Sequence, residues 1–192
     1  MESLTPEVLN QELLPRLPQW RRCQALKFRH HLGQIQCAKS FLMLEEVLRN
    51  AFGVTEEIEF DYGKNGKPFL KNHPEIHFSL SHCKVAIFCV VDSHAPVGCD
   101  VESIRRMPSE GLLARCCNEA ERRKIEESKN PTVAFLELWT RKEACAKLTG
   151  VGIEIETLPT LIESVAPASL TTQFVEKKGY AYSVASAYSA IL

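Results

Sequence analysis

The chain has 192 residues, 45 % apolar and 24 % charged, a size and balance that suit one large soluble domain or two small ones with ample core. Lysine and arginine total 23 against 24 acids, a net charge of −1, so no basic excess favours nucleic acid as a partner. No apolar run approaches the roughly 20 residues of a membrane span.

The N-terminal stretch MESLTPEVLNQELLPRLPQW lacks the basic start, apolar centre and small-residue cleavage site of a secretory signal. A cytoplasmic location is therefore expected, with the eight cysteines kept reduced. No C-x-x-C pair occurs. A zinc site from His77, His82, Cys83 and Cys99 lacks ligand spacing, and Cys83, Cys89 and Cys99 read as small hydrophobes in strand-like stretches.

In chain order, residues 7–20 predict a short helix interrupted by Pro15 and Pro18. Residues 21–52 predict one long helix, with Phe41, Leu42, Leu44, Val47 and Leu48 at helical intervals and Gly53 closing it. Ahead of that helix, Arg21, Arg22, Lys27, Arg29, His30 and His31 form a basic cluster, suited to a solvated face or to an anion. IEFDYG at 58–63 predicts a strand, and NGKP at 65–68 a turn. EIHFSLSH at 75–82 alternates, and KVAIFCVVD at 84–92 reads as a short buried strand. HAPVG turns the chain into a further strand, VGCDVE. Residues 112–128 predict one charged helix that gives way near Asn130 and Pro131. Residues 131–150 predict a helix ending at Gly150. Short strands follow at IEIETL, TTQFVEKK and GYAYSVASAY.

This order favours an α+β fold over an alternating parallel sheet. A long helix followed by short antiparallel-type strands occurs twice. The expected architecture is two similar α+β halves, 1–97 and 98–192, packed as a pseudo-twofold dimer within one chain.

Three acids stand out. Asp100 and Glu102 are two apart on a strand, so their side chains leave one face. Their backbones lie about 6 to 7 Å apart at roughly 3.3 Å per residue. Side chains leaning together from there suit a hard cation such as magnesium, which prefers oxygen ligands. Glu143 would complete the group from the later helix, where Trp139, Glu143 and Lys147 follow at intervals of four and share a face. Such a face is neither plain core nor plain solvent and suits the wall of a polar cleft. An exposed Glu143–Lys147 pair would explain the helix more simply, and a solvated strand edge would explain the two earlier acids.

Other groups point to an anion. The NGKP turn projects Lys67 beside backbone amides that can hold phosphate oxygens, although an ordinary β-turn has the same pattern. SLSH at 79–82 offers two hydroxyls and an imidazole at a strand end. No G-x-S-x-G elbow surrounds them to suggest a serine nucleophile.

Together, NGKP at 65–68, FSLSH at 78–82, VGCDVE at 97–102, CNEAE at 117–121 and WTRKEACAK at 139–147 resemble the 4′-phosphopantetheinyl transferase superfamily, in its larger two-half form. The resemblance covers roughly residues 20–150. It implies a holo-[acyl-carrier-protein] synthase type of enzyme that binds coenzyme A and Mg2+ and moves the phosphopantetheine arm to a serine of an acyl or peptidyl carrier protein, releasing 3′,5′-ADP. Asp100 and Glu102 would ligate the metal. Glu143 would ligate it or take the serine proton. Lys147 and His82 would face the pyrophosphate, with Lys142 supporting the same anion. Gly66, Lys67 and Pro68 would border the adenine and ribose end, with Ser79 and Ser81 near it, and Arg22 would meet the 3′-phosphate. One departure is the Gln34-Ile35-Gln36 stretch, where the family often carries an arginine.

An acidic carrier predicts a basic docking face, for which Arg105, Arg106, Arg115, Arg122 and Arg123 are candidates. A chain holding both halves of the cleft is expected to act as a monomer. Two other functions fit the acids: a magnesium-dependent nuclease or phosphohydrolase, and a non-catalytic coenzyme A or carrier-binding module.

Overall fold

The structure is a computed structural model that describes residues 5–188. It is α+β, with helices and small antiparallel sheets. The chain divides into two compact units, one through Glu59 and one from Phe60.

The first unit is helical. Two short turns, Val8–Leu13 and Leu14–Arg16, bury Leu9, Leu13 and Leu14. They lead into α1 (Gln19–Leu26) and α2 (His31–Phe52). The single helix expected over 21–52 is thus broken. Lys27 and Phe28 tighten back onto Gln24 and Ala25, and His30 is extended (φ −109°, ψ 139°), which restarts the helix. The Phe28 ring then lies over Gly33, where a Cβ would stand 3.0 Å from its Cδ1. Ile35, Phe41, Leu44 and Leu48 fill the buried face of α2. Arg21 is buried, donates to the Cys37 carbonyl at 3.0 Å and lies 5.4 Å from the centroid of the Phe41 ring.

Among the described residues, the second unit contains seven strands. β1 (Phe60–Tyr62) pairs with β2 (Pro68–Leu70) around the NGKP turn. β3 (His77–His82) and β4 (Ile87–Asp92) form an antiparallel hairpin. β5 (Val97–Ser103) pairs with β7 (Tyr180–Ser186), which also pairs with β6 (Ser169–Val175), giving the order β5-β7-β6.

β3 meets β5 without a backbone ladder. The Ser79 hydroxyl accepts from the Cys99 amide at 3.0 Å, and the Ser81 hydroxyl accepts from the Val101 amide at 3.3 Å. Two serine side chains therefore stand in for carbonyls and satisfy amides that β7 leaves over. This seam ties β3 and β5 together.

Helices α3 (Glu110–Cys116) and α4 (Glu119–Glu126) replace the single helix expected over 112–128. Asn118 causes the break: its side chain accepts from the Glu121 amide while Glu121 accepts from the Asn118 amide, a reciprocal capping box. α5 (Pro131–Thr149) starts with Asn130 accepting from the Val133 amide and ends at left-handed Gly150 (φ 72°). It packs on β5 and β7. The expected strand at IEIETL is instead a turn leading through Leu158–Thr160 into α6 (Leu161–Val165). Gly152, at φ +80°, reverses the chain just ahead of it, and Pro159 removes an amide that a ladder would need.

Two features fix α5 on the sheet. Gly98 lets it approach closely, because a Cβ there would collide with the Ala144 carbonyl oxygen and the Leu148 amide. Farther along, the buried Thr140 hydroxyl shares a hydrogen bond with Ser183 at 2.8 Å, and Ser183 meets Thr172 at 2.9 Å. Among the described residues, no helix is long and apolar enough to cross a membrane.

Candidate active site

β5 and α5 carry the acids, and their close approach at Gly98 brings these together. Asp100 is only 3 % exposed. Its Oδ1 accepts from the Ser81 hydroxyl at 2.7 Å and from Lys147 Nζ at 2.7 Å. Its Oδ2 is buried and has no hydrogen-bond partner. Glu102 points the same way along the strand, half-buried, and pairs with the exposed Arg105 at 3.0 Å. Burial raises the Glu102 pKa, and Arg105 pulls it back.

Glu143 stands opposite, on α5. Burial pushes its pKa up to about 7, and the negative charges of Asp100 and Glu102 add to the rise while Lys147 opposes it. Three carboxylates thus share a poorly solvated space with one ammonium. Like charges at this spacing are tolerated only with a proton or a cation among them. Among the described residues, no three His, Cys, Asp or Glu side chains form a ready-made metal cluster. The donor set nevertheless fits a hard divalent cation: it is all carboxylate oxygen, and the orphaned Oδ2 of Asp100 lacks a positive partner.

Two clefts meet at Glu143. The first, about 340 Å³, is lined by Gly66, Lys67, Pro68, Ser79, Glu143 and Lys147 among others. The second, about 330 Å³, has Leu112, Phe135, Leu136 and Trp139 as its apolar lining, with Glu102, Arg105 and Arg106. Phe135 and Trp139 stack at 6.1 Å between centroids. The helix face of Trp139, Glu143 and Lys147 is therefore a wall shared by two clefts: Trp139 serves one, Lys147 the other, and Glu143 both.

The structure thus gathers Gly66, Lys67, Pro68, Ser79, Asp100, Glu102, Glu143 and Lys147 around one centre. Within it, Lys67 is tied down: its Nζ donates to the carbonyls of Val97 (3.0 Å) and Leu148 (2.9 Å). There the lysine caps the C-terminal end of α5, where a positive charge is favoured. Ser81 is committed to Asp100 and β5.

Two expected anion ligands lie away from both clefts, and a third belongs to the first unit. His82 is exposed at the end of β3 and lines neither cleft. Lys142 is fully buried, with Nζ 2.8 Å from Glu121 Oε1 and 2.6 Å from the Leu158 carbonyl oxygen. Arg22, in the first unit, donates to the carbonyls of Leu14 and Leu17.

Sequence reasoning missed three contributors. Gly98 was legible as a glycine inside a strand, the usual mark of close backbone approach. Glu121 as the partner of Lys142 was signalled only by the N-x-x-E capping pattern at Asn118. The pairing of Arg105 with Glu102 had no signal beyond proximity in sequence.

Residues 96–186, which carry Asp100, Glu102, Glu143 and Lys147, match the family model of the 4′-phosphopantetheinyl transferase superfamily. The chain is also 29 % identical over 147 residues to the 4′-phosphopantetheinyl transferase psf-1 of Bacillus pumilus, covering 74 % of this chain and 62 % of that protein. Over these residues the chain is similar to the 4′-phosphopantetheinyl transferase superfamily.

Further relatives agree. Identity is 32 % over 123 residues to the 4′-phosphopantetheinyl transferase AcpT of Salmonella typhi, covering 59 % of this chain and 63 % of that one. It is 29 % over 147 residues to the 4′-phosphopantetheinyl transferase HetI of a Nostoc species, with 68 % and 58 % covered. The chain spans about three fifths of the length of these superfamily members.

Proposed function

We propose that the protein is a 4′-phosphopantetheinyl transferase of the holo-[acyl-carrier-protein] synthase type, which moves the phosphopantetheine arm of coenzyme A to a serine of an acyl or peptidyl carrier protein. The observation that carries this reading is Glu143, a carboxyl with a pKa of about 7 standing in the wall common to two clefts. A general base works best when its pKa lies near the operating pH.

The first cleft takes the nucleotide and pyrophosphate end of coenzyme A. Gly66, Lys67, Pro68, Ser79 and Lys147 line it. The second takes the serine loop of the carrier, with Arg105 and Arg106 meeting acidic side chains at its rim. Glu143 accepts the proton of the serine hydroxyl. The serine oxygen bonds to the β-phosphorus, the bond from that phosphorus to the bridging oxygen breaks, and 3′,5′-ADP leaves. Lys147 offsets charge on the pyrophosphate oxygens. Asp100 and Glu102, with Glu143 beside them, would hold Mg2+. When bound, such an ion stabilises negative charge on phosphoryl oxygens.

His82, Lys142 and Arg22 remain proposed coenzyme A contacts, although Lys142 is held by Glu121 and the Leu158 carbonyl, and Arg22 by the carbonyls of Leu14 and Leu17. The division into halves 1–97 and 98–192 with pseudo-twofold symmetry is proposed on the repeated order of long helix then antiparallel hairpin, α2 with β3–β4 and α5 with β6–β7. A cytoplasmic, monomeric enzyme is proposed on its eight free thiols and on a catalytic group set contained in one chain.

The test is direct. The protein is mixed with coenzyme A, Mg2+ and a purified apo carrier protein, and the carrier is weighed by mass spectrometry. A gain of one phosphopantetheine is expected. Asp100→Ala and Glu143→Ala should each lower the rate by at least about 100-fold with an unchanged circular dichroism spectrum. Hydrolysis of nucleic acid or phosphate esters without that gain would instead point to the phosphohydrolase, and binding without turnover to a non-catalytic module.

A further inference from the structure

Lys147 answers to two neighbours. Its Nζ lies 2.7 Å from Asp100 Oδ1 and 3.0 Å from Ser81 Oγ. It is thus the counter-ion of the most buried of the three acids. Its side chain is also 32 % exposed and lines the first cleft. One end of its reach is a buried carboxylate and the other is open space beside Gly66 and Ser79. A lysine stem of four carbons can move its ammonium between such places while the helix stays still.

A divalent cation drawn to Asp100, Glu102 and Glu143 brings two positive charges to a carboxylate that already holds one. Cations a few ångströms apart in a poorly solvated space repel strongly. Asp100 itself cannot relieve the conflict by turning away, because Ser81 fixes its Oδ1 and the strand that carries it is buried between β7 and the hydroxyl seam to β3. Lys147 is the mobile partner.

We propose that Lys147 is an exchangeable counter-ion: it neutralises Asp100 until a divalent cation arrives, and the ammonium thereby released becomes an anion-binding group of the first cleft. Cation and polyanion then strengthen each other's binding through one side chain, as any two ligands coupled through a shared element must. That the polyanion is the pyrophosphate of coenzyme A rests on the transferase reading. The exchange itself rests on the contacts of Lys147.

The experiment measures Mn2+ binding to the full chain by electron paramagnetic resonance of the free ion, with no carrier and no turnover. Lys147→Met should bind Mn2+ about tenfold more tightly than the unaltered protein, and Lys147→Arg, which keeps the charge, should not. Coenzyme A should tighten Mn2+ binding to the unaltered protein by at least about threefold, and by less in Lys147→Met. Equal or weaker Mn2+ binding by Lys147→Met would overturn the proposal.

A second measurement needs no methionine variant. In 1H–13C spectra of the lysine ε-methylenes, Mg2+ alone should shift one resonance, and that resonance should be missing from Lys147→Arg. An unmoved Lys147 resonance would overturn the proposal even if Lys147→Met fails to fold. The two readings fail separately. Absent transfer with intact exchange sinks the transferase, whereas normal transfer with unchanged Mn2+ binding sinks the exchange.

Discussion

Glu143 is costly to the fold. Its carboxyl has a pKa of about 7 in the folded protein against an ordinary 4.5, so the folded state holds the proton more tightly than the unfolded chain does. Below pH 4.5 the group is protonated in both states and costs nothing. As pH rises through 7 the folded protein must carry a poorly solvated charge near two others, and stability falls. Glu143→Gln should therefore raise the melting temperature at pH 8, and the gain should vanish near pH 4. Thermal melts across that range check this, and an equal gain at both ends would contradict it. Sequence placed this acid with Trp139 and Lys147 on one helix face. It did not reveal that the face looks into two clefts, because that depends on what β5 and the residues around Arg105 present opposite. Lys142, adjacent in sequence, shows the converse. Its motif suggested an anion ligand, yet one position along a helix turns a side chain by about 100°, enough to send it into the interior against Glu121.

At the scale of elements, the site depends on how α5 is seated. Gly98 permits the close approach, so Gly98→Ala should push β5 and α5 apart. The expected loss is more than about 2 kcal/mol in urea unfolding, with transfer reduced as Asp100 moves from Glu143. If Gly98→Ala is as stable as the unaltered protein, the two backbones are not packed as described. On the opposite side of α5, Lys142 is clamped by Glu121 and the Leu158 carbonyl. Removing one partner of a buried pair leaves the other uncompensated, so Lys142→Met should cost about 3 to 5 kcal/mol. Glu121→Gln should cost a similar amount, and the double variant less than the sum of the two. Additive losses would show that the pair is not coupled. Helix and strand types were mostly legible from periodicity. The breaks at residues 27–30 and 117–118 were not, since neither carries glycine or proline. They are set by the Phe28–Gly33 contact and by the Asn118 capping box, the second of which a capping scan finds.

For the whole molecule, none of the eight cysteines is in a disulfide, and Cys23 alone among them is exposed. Burial raises the thiol pKa of Cys89 to about 12 and of Cys99, Cys117 and Cys145 to about 11, which suppresses the reactive thiolate. A thiol reagent at pH 8 should accordingly modify Cys23 rapidly and the others far more slowly, with all eight reacting once the protein is unfolded. Fast modification of Cys99 would mean that the seam between β3 and β5 opens readily. The α+β class and the antiparallel hairpins were readable from alternation and turn residues. The hydroxyl seam was not, because a serine that replaces a backbone carbonyl looks in sequence like any serine on a strand.

Glu143 also bears on the traffic of reactants. Apart from that carboxyl, the linings of the two clefts have no residue in common. Under the proposed transfer, a molecule settled in one occupies none of the other's contacts but Glu143, so neither substrate must wait for its companion or let it pass. A wholly common wall would have made the two rivals; this arrangement leaves the order of arrival to concentration alone.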